Sequence, residues 1–169
     1  MRTQHRPLSW QYSIPARAVH SVIALLCAAG LATSLYLGWT NGSQLPAGVG
    51  YAGGFSAGWQ HMLNQPAYFT FLSGLLVFIT SGVLALNPQR ESRIFHCVRL
   101  AGVVQVIITG LVFNILLRTE DQLEGVWLFN DLVLHVIVPI AAPLVWLIIG
   151  PHGRLSPAVV FGSMVIPLA

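Results

Sequence analysis

Two ionisable residues, Asp131 and His135, stand four residues apart in the apolar stretch FNDLVLHVIVPIAAPLVWLII, residues 129–149. Residues with this spacing share one face of a helix. The carboxylate can therefore accept a hydrogen bond from one imidazole nitrogen and raise the basicity of the other. Together they form the base and the orienter of a nucleophilic triad that lacks only its hydroxyl. Asp131 lies nearer the end of the stretch, where it either orients His135 or faces water.

The hydroxyl is expected from Thr70 or Ser73, near the start of another apolar stretch. An ionisable residue well inside a membrane-crossing helix indicates a functional site by default, which applies to His135. Hydroxyls in such helices usually bond to backbone or to a neighbouring helix and carry no chemistry. We expect this ordinary role for the remaining hydroxyls inside the apolar stretches, Thr80, Ser81 and Thr109.

Asn114 completes the set of candidate site residues, and Pro139 is expected to shape the helix around them or to be an ordinary transmembrane kink. Asn114, near the end of a third apolar stretch, is a candidate donor to a developing oxyanion. Pro139 has no backbone N–H, so it frees the carbonyl of His135 and should bend the helix around the imidazole. Pro143, four residues further on, falls on the same side of the helix.

The chain that positions these groups is strongly apolar. Of its 169 residues, 55% are hydrophobic and only 8% are charged, whereas about a quarter are charged in soluble domains. Several stretches reach the ~20 apolar residues that a helix needs to cross the hydrocarbon. The composition predicts an all-α, polytopic transmembrane helix bundle that forms a single membrane domain over residues 1–169.

Four full spans and one partial span are predicted from the apolar runs. The Gly-rich stretch 40–66 reads as a loop. The fifth run is too short to cross a bilayer unaided, so we expect a further C-terminal portion. The full spans are at about 18–39, 67–86, 95–117 and 127–149, and the partial span is at 157–169.

The basic residues predict the orientation. All eight are arginines scattered between the spans, which indicates topology signals rather than a nucleic-acid surface. A cytoplasmic N-terminus puts seven of the eight on the inside and leaves Arg118 outside. Arginine without lysine favours a GC-rich genome, and hence a bacterial cytoplasmic membrane. In this orientation the candidate residues share the outer half of the bundle: Thr70, Ser73, Asn114, Asp131 and His135.

No metal or cofactor site is predicted. Cys27 and Cys97 have no CxxC spacing and are expected to be small packing residues. His20 and His96, near the inner ends of two spans, are compatible with axial haem ligands. They share no motif, however, and solvated interfacial histidines are the commoner case.

Three segments resemble a known family. They are YFTF at 68–71, TGLVFNILLR at 109–118 and NDLVLHVIVPIAAPLVWLIIGPHGRLS at 130–156. These segments look like the bacterial Pr-six-Pr membrane proteins, which are similar to the eukaryotic androgen-induced and androgen-dependent membrane protein family. The resemblance covers roughly residues 67–169 and implies a bundle of six transmembrane helices.

The eukaryotic branch of that family consists of intramembrane threonine hydrolases that cleave fatty acid esters of hydroxy fatty acids. The resemblance implies that Thr70 is the nucleophile and His135 the histidine base, and it assigns no role to Asn114 or Asp131. The sequence hypothesis is thus a hydrolase of a fatty acyl ester whose partners are membrane lipids and a lipid-like substrate. The alternative is a non-catalytic module that binds or transports a lipid, a small solute or a proton.

Overall fold

The computed structural model describes residues 12–43, 54–118, 123–152 and 156–165. Within these ranges every regular element is a helix. Some residues used to predict the topology lie outside these ranges, namely Arg2, Arg6 and Arg154. The acidic residues Glu120 and Asp121 and residues 166–169 also lie outside them. The helices in this part of the chain are α1 Ile14–Thr40, α2 Trp59–Asn64, α3 Phe69–Leu86, α4 Arg93–Leu117, α5 Gly125–Ile149 and α6 Pro157–Val165.

Helices α1, α3, α4 and α5 are long and apolar enough to cross a membrane. They contain between 18 and 27 residues, which corresponds to about 27 to 40 Å of helix. The hydrocarbon core of a bilayer is about 30 Å thick. The prediction of an all-α fold with four full spans is confirmed, and the chain is an integral membrane protein.

Local capping residues explain where the observed helices begin. The Ser13 hydroxyl accepts a hydrogen bond from the Ala16 N–H, and Pro15 lies in the first turn, so α1 begins at Ile14. The Ser92 hydroxyl caps α4 in the same way. A 3-10 turn, Gln65–Ala67, delays the start of α3 to Phe69. The prediction that 40–66 is entirely loop was wrong for Trp59–Asn64, which forms the short helix α2.

The four long helices form a closed bundle. Helix α1 packs along α3, α3 packs on α4, α4 packs on α5, and α5 returns to α1. Helix α6 packs against the outside of α4. The buried core lies between the four helices, and Cys27 belongs to it as a packing residue. The largest contributors from α3, α4 and α5 are Val77, Val106, Val133, Leu134 and Val138.

Two glycines allow other helices to approach α5 closely. A Cβ atom on Gly110 of α4 would lie 2.6 Å from the Cβ of Pro139. A Cβ on Gly30 of α1 would lie 2.6 Å from the Cδ2 of Leu134. Both distances are below van der Waals contact. The ring of Pro139 is rigid, so only glycine fits at Gly110, whereas a larger residue at Gly30 would force the Leu134 side chain to move. Helix α5 is therefore held closely from two sides.

Two turns of the long helices are π-helical. One, Phe113–Leu117, ends α4, and the other, Leu132–Ile137, lies in the middle of α5. A π turn accommodates one extra residue and often occurs at a functional site. Pro139 lies just after the second π turn, and its missing N–H leaves the carbonyl of His135 without its usual helical donor.

Candidate active site

The hydroxyl of Thr70 meets the imidazole of His135. The Oγ1 atom of Thr70 lies 3.4 Å from Nε2 of His135. Thr70 is the second residue of α3, whereas His135 lies in the π turn of α5, so the contact joins two helices. The distance is longer than an optimal hydrogen bond, as is common for catalytic contacts without substrate.

Asp131 orients the same imidazole. Its Oδ1 lies 3.0 Å from Nδ1 of His135. The residue is only 4% exposed, so of the two roles left open by the sequence, the structure gives the orienter and not a carboxylate facing water. Because a carboxylate only accepts, Nδ1 of His135 carries the proton and Nε2 presents its lone pair to Thr70. This is the tautomer that a general base requires.

Arg118 neutralises the buried carboxylate. Its guanidinium donates to the second oxygen of Asp131, Oδ2, at 3.0 Å. The Arg118 side chain is 41% exposed, so it connects the buried pair with the surface. The sequence indicated only a topology signal at Arg118. Arg118 was the one arginine that the predicted topology put outside the membrane, and this exception was the available indication of another role.

The ring of Phe113 covers one face of the imidazole. The ring centroids of Phe113 and His135 are 3.5 Å apart and the planes differ by 2°. The guanidinium of Arg118 lies 5.7 Å from the Phe113 centroid. This stack leaves the imidazole edge, rather than that face, for contact with other groups. Phe113 could not be identified from the sequence, because the π turn that rotates it toward α5 has no sequence signature.

Asn114 has a different role from the predicted one. Its amide nitrogen donates to the carbonyl of Gly110 and to the carbonyl of His135, each at 2.7 Å. Only the nitrogen end of the amide can face two carbonyl oxygens, and these bonds use both of its hydrogens. Asn114 is therefore a positioning residue for the His135 backbone and not an oxyanion donor.

Ser73 does not contact His135. Its hydroxyl donates to the Thr70 carbonyl at 2.9 Å and lies 3.2 Å from Oγ1 of Thr109. Of the two candidate hydroxyls, only that of Thr70 is in reach of the imidazole. Thr80 donates to the Leu76 carbonyl of its own helix at 2.8 Å, as expected for a hydroxyl without chemistry.

Asn130, which sequence analysis passed over, ties the site to α1. Its amide nitrogen lies 2.8 Å from the carbonyl of Gly30 and 2.9 Å from each of two hydroxyls, those of Thr33 and Ser34. Asn130 directly precedes Asp131 in the chain. The contact therefore fixes the turn of α5 from which the carboxylate projects.

The beginning of α3 supplies backbone donors beside Thr70. The first N–H groups of an α-helix have no partner within the helix. The cap residue Tyr68 makes no side-chain hydrogen bond to them. The N–H groups of Phe69, Thr70 and Phe71 thus lie at the positive end of the helix dipole, next to the candidate nucleophile.

The described ranges contain no group of three or more His, Cys, Asp and Glu residues that could hold a metal. His20 and His96 are both buried, so the expectation that they are solvated was wrong. They lie toward the opposite end of the bundle from Thr70. There, the Nε of Arg17 in α1 donates to the Ala85 carbonyl near the end of α3 at 2.9 Å.

Comparisons of the chain with models of protein families, with characterised proteins and with solved structures find no match. The fold defines the class as an all-α integral membrane protein with four long apolar helices. Within that class, the distinguishing feature is a connected series of side chains, Thr70 from α3, His135 and Asp131 from α5, and Arg118 from just beyond the end of α4.

Proposed function

We propose that the protein is an intramembrane threonine hydrolase that cleaves a fatty acyl ester of a lipid. The observation that carries the proposal is the series of contacts from Thr70 to His135 at 3.4 Å and from His135 to Asp131 at 3.0 Å. A hydroxyl, an imidazole and a buried carboxylate in this order are the parts of a nucleophilic triad. The Pr-six-Pr resemblance selects the same threonine and histidine.

The proposed reaction begins with Thr70. Its Oγ1 attacks the acyl carbonyl while Nε2 of His135 takes the hydroxyl proton. Asp131 stabilises the imidazolium, and Arg118 balances the carboxylate. His135 then gives the proton to the departing alcohol, which leaves an acyl group on Thr70. A water molecule, deprotonated by His135, releases the fatty acid and restores the threonine.

The oxyanion of this reaction needs donors other than Asn114. The N–H groups at the beginning of α3 are the best placed, because they adjoin Thr70 and are not used by the helix. Donors of this kind contribute about 10²- to 10³-fold each to the rate of acyl transfer. The helix dipole adds favourable potential for the same negative charge.

A lipid is the substrate class that suits this position. The end of α4 presents apolar side chains beside the site, with Ile115 72% and Leu116 73% exposed. Acyl chains can lie against these residues and enter the site sideways, while their tails stay in the hydrocarbon. The half-exposed Arg118 lies at the same end, so the leaving alcohol and the attacking water have a polar route.

The test is a pair of matched substitutions in α3. Thr70→Ala should abolish hydrolysis of a long-chain acyl ester of a fluorogenic alcohol, and labelling by a fluorophosphonate probe. Thr80→Ala makes the same chemical change to a hydroxyl that bonds only to its own helix, and should leave both readouts unchanged. His135→Gln should match Thr70→Ala.

Hydrolysis or labelling that survives Thr70→Ala would contradict the proposal. Binding of the ester by the wild type without release of fatty acid would also contradict it, and would favour the non-catalytic binding or transport module.

A further inference from the structure

A second buried polar group of residues lies at the end of the bundle where α1 and α4 begin. We name His20, His96, Arg99 and the Pro151 carbonyl the Arg99 cluster. The guanidinium of Arg99 donates to that carbonyl. Arg99 precedes Gly110 by eleven residues on α4, about 17 Å along the helix. The Arg99 cluster is therefore separate from the Thr70 and His135 site.

Arg99 carries a buried charge without a counter-ion in the described part of the chain. The residue is 4% exposed, and both ion pairs among the described residues involve Asp131. The only acidic residue close in sequence to the beginning of α1 or α4 is Glu91, two residues before α4, and it is exposed. A buried guanidinium without an anionic partner is strongly unfavourable. The charge therefore calls for an anion from outside the chain.

His20 supplies a second, independent observation. It is 2% exposed, and its Nδ1 has no hydrogen-bond partner among the described residues. Buried side-chain nitrogens are almost always paired, so such an atom requires an explanation. His96 precedes Arg99 by three residues and shares its face of α4, and the imidazole of His20 lies beside the carbonyl of Gly150, the residue before Pro151. An anion bound between these groups would accept from the guanidinium, and also from Nδ1 of His20 in the tautomer or charge state in which that nitrogen carries a proton.

We propose that the Arg99 cluster binds the phosphate group of an anionic membrane lipid. The planar guanidinium fork matches phosphate oxygens in two parallel hydrogen bonds. The same helices carry exposed apolar side chains near the cluster in chain position, with Leu25 of α1 69% and Ile94 of α4 79% exposed, so the acyl chains of a lipid have a surface to follow. Basic pockets between membrane helices are known sites for anionic headgroups.

The experiment uses the full chain in nanodiscs of phosphatidylcholine, with and without phosphatidylglycerol. Phosphatidylglycerol should raise the Tm of the wild type by about 5 °C near saturation. Arg99→Gln should lose this rise. Arg93→Gln removes an exposed arginine from the same helix end and should keep it. Equal loss in both variants would show general surface attraction and overturn the proposal.

Native mass spectrometry adds a readout for which the wild type alone is sufficient, so it can decide the question even if a variant fails to fold. Phosphatidylglycerol should be retained in preference to phosphatidylcholine, and His20→Gln should weaken that preference. Equal retention of the two lipids would overturn the proposal. Inorganic phosphate alone is the second arm of the test. If it reproduces the rise in Tm and displaces the lipid, the site binds free phosphate and the lipid assignment is wrong.

Discussion

The amide of Asn114 donates a 2.7 Å hydrogen bond to the backbone carbonyl of His135. This is the carbonyl that Pro139 leaves without its usual helical donor. Asn114 belongs to α4 and His135 to α5, so the bond replaces a contact within one helix by a contact between two. The bond thereby fixes the position of the imidazole along the bundle axis relative to α4.

Asn114→Leu keeps the approximate volume of the side chain and removes both donors. We expect the free energy of unfolding to fall by about 1–3 kcal/mol, because two carbonyls lose their donor. We also expect kcat to fall while KM changes little, since the substitution displaces His135. Unfolding by heat and steady-state kinetics measure the two effects. Unchanged kcat would show that the bond does not position the imidazole.

Asp131→Asn preserves the shape of the orienter and removes its charge. The imidazolium that forms during the reaction then lacks a partner, and the wrong tautomer of His135 is favoured. The expected loss in kcat is about 10²- to 10⁴-fold. Glu124→Gln is the control, because it neutralises an exposed carboxylate at the beginning of the same helix and should leave kcat unchanged.

Arg118→Gln should have a much smaller effect than Asp131→Asn. The Arg118 side chain is 41% exposed, so water and salt already screen its charge, and the buried Asp131 keeps its other partner, the imidazole of His135. We expect kcat/KM to fall by less than about tenfold and to become less sensitive to salt than in the wild type. A loss as large as that of Asp131→Asn would mean that Arg118 contacts the substrate.

Gly110→Ala and Gly82→Ala test the close approach of α4 to α5. The added methyl at Gly110 meets the rigid ring of Pro139 at 2.6 Å, which should cost about 1–3 kcal/mol of stability and disturb His135. The methyl at Gly82 meets nothing within 4 Å and should stabilise α3 by up to about 1 kcal/mol. Thermal unfolding of the two variants checks both signs. Equal stability would show that the bundle adjusts freely at Gly110.

The spans were predictable because hydropathy over about twenty residues determines them. The exact starts of the helices were less predictable, because single capping residues such as Ser13 and Ser92 determine them. The Asp131 and His135 pair was predictable because a fixed spacing within one helix places it. The Thr70 contact needed the topology as well. Depth alone could not choose between Thr70 and Ser73, since that choice depends on how α3 is rotated.

The partners contributed by α4 were the least predictable. Phe113 and Asn114 reach His135 through a π turn at Phe113–Leu117, and Arg118 returns from just beyond it to Asp131. An α-helical reading of the sequence assigns these side chains to other directions. Asn130 was missed for a different reason, because its acceptors lie about a hundred residues earlier in α1.

The two tight glycine contacts also decide which wall of the site can be reshaped. Gly30 and Gly110 leave no space on the sides of α1 and α4, so a larger residue there would push α5 away. A Cβ on Gly74 of α3, in contrast, would meet Leu134 and Leu31 at an ordinary 3.5 Å. If the proposed hydrolase activity is confirmed, variants that aim to alter the acyl-chain length it accepts should therefore change α3 and leave α1 and α4 intact.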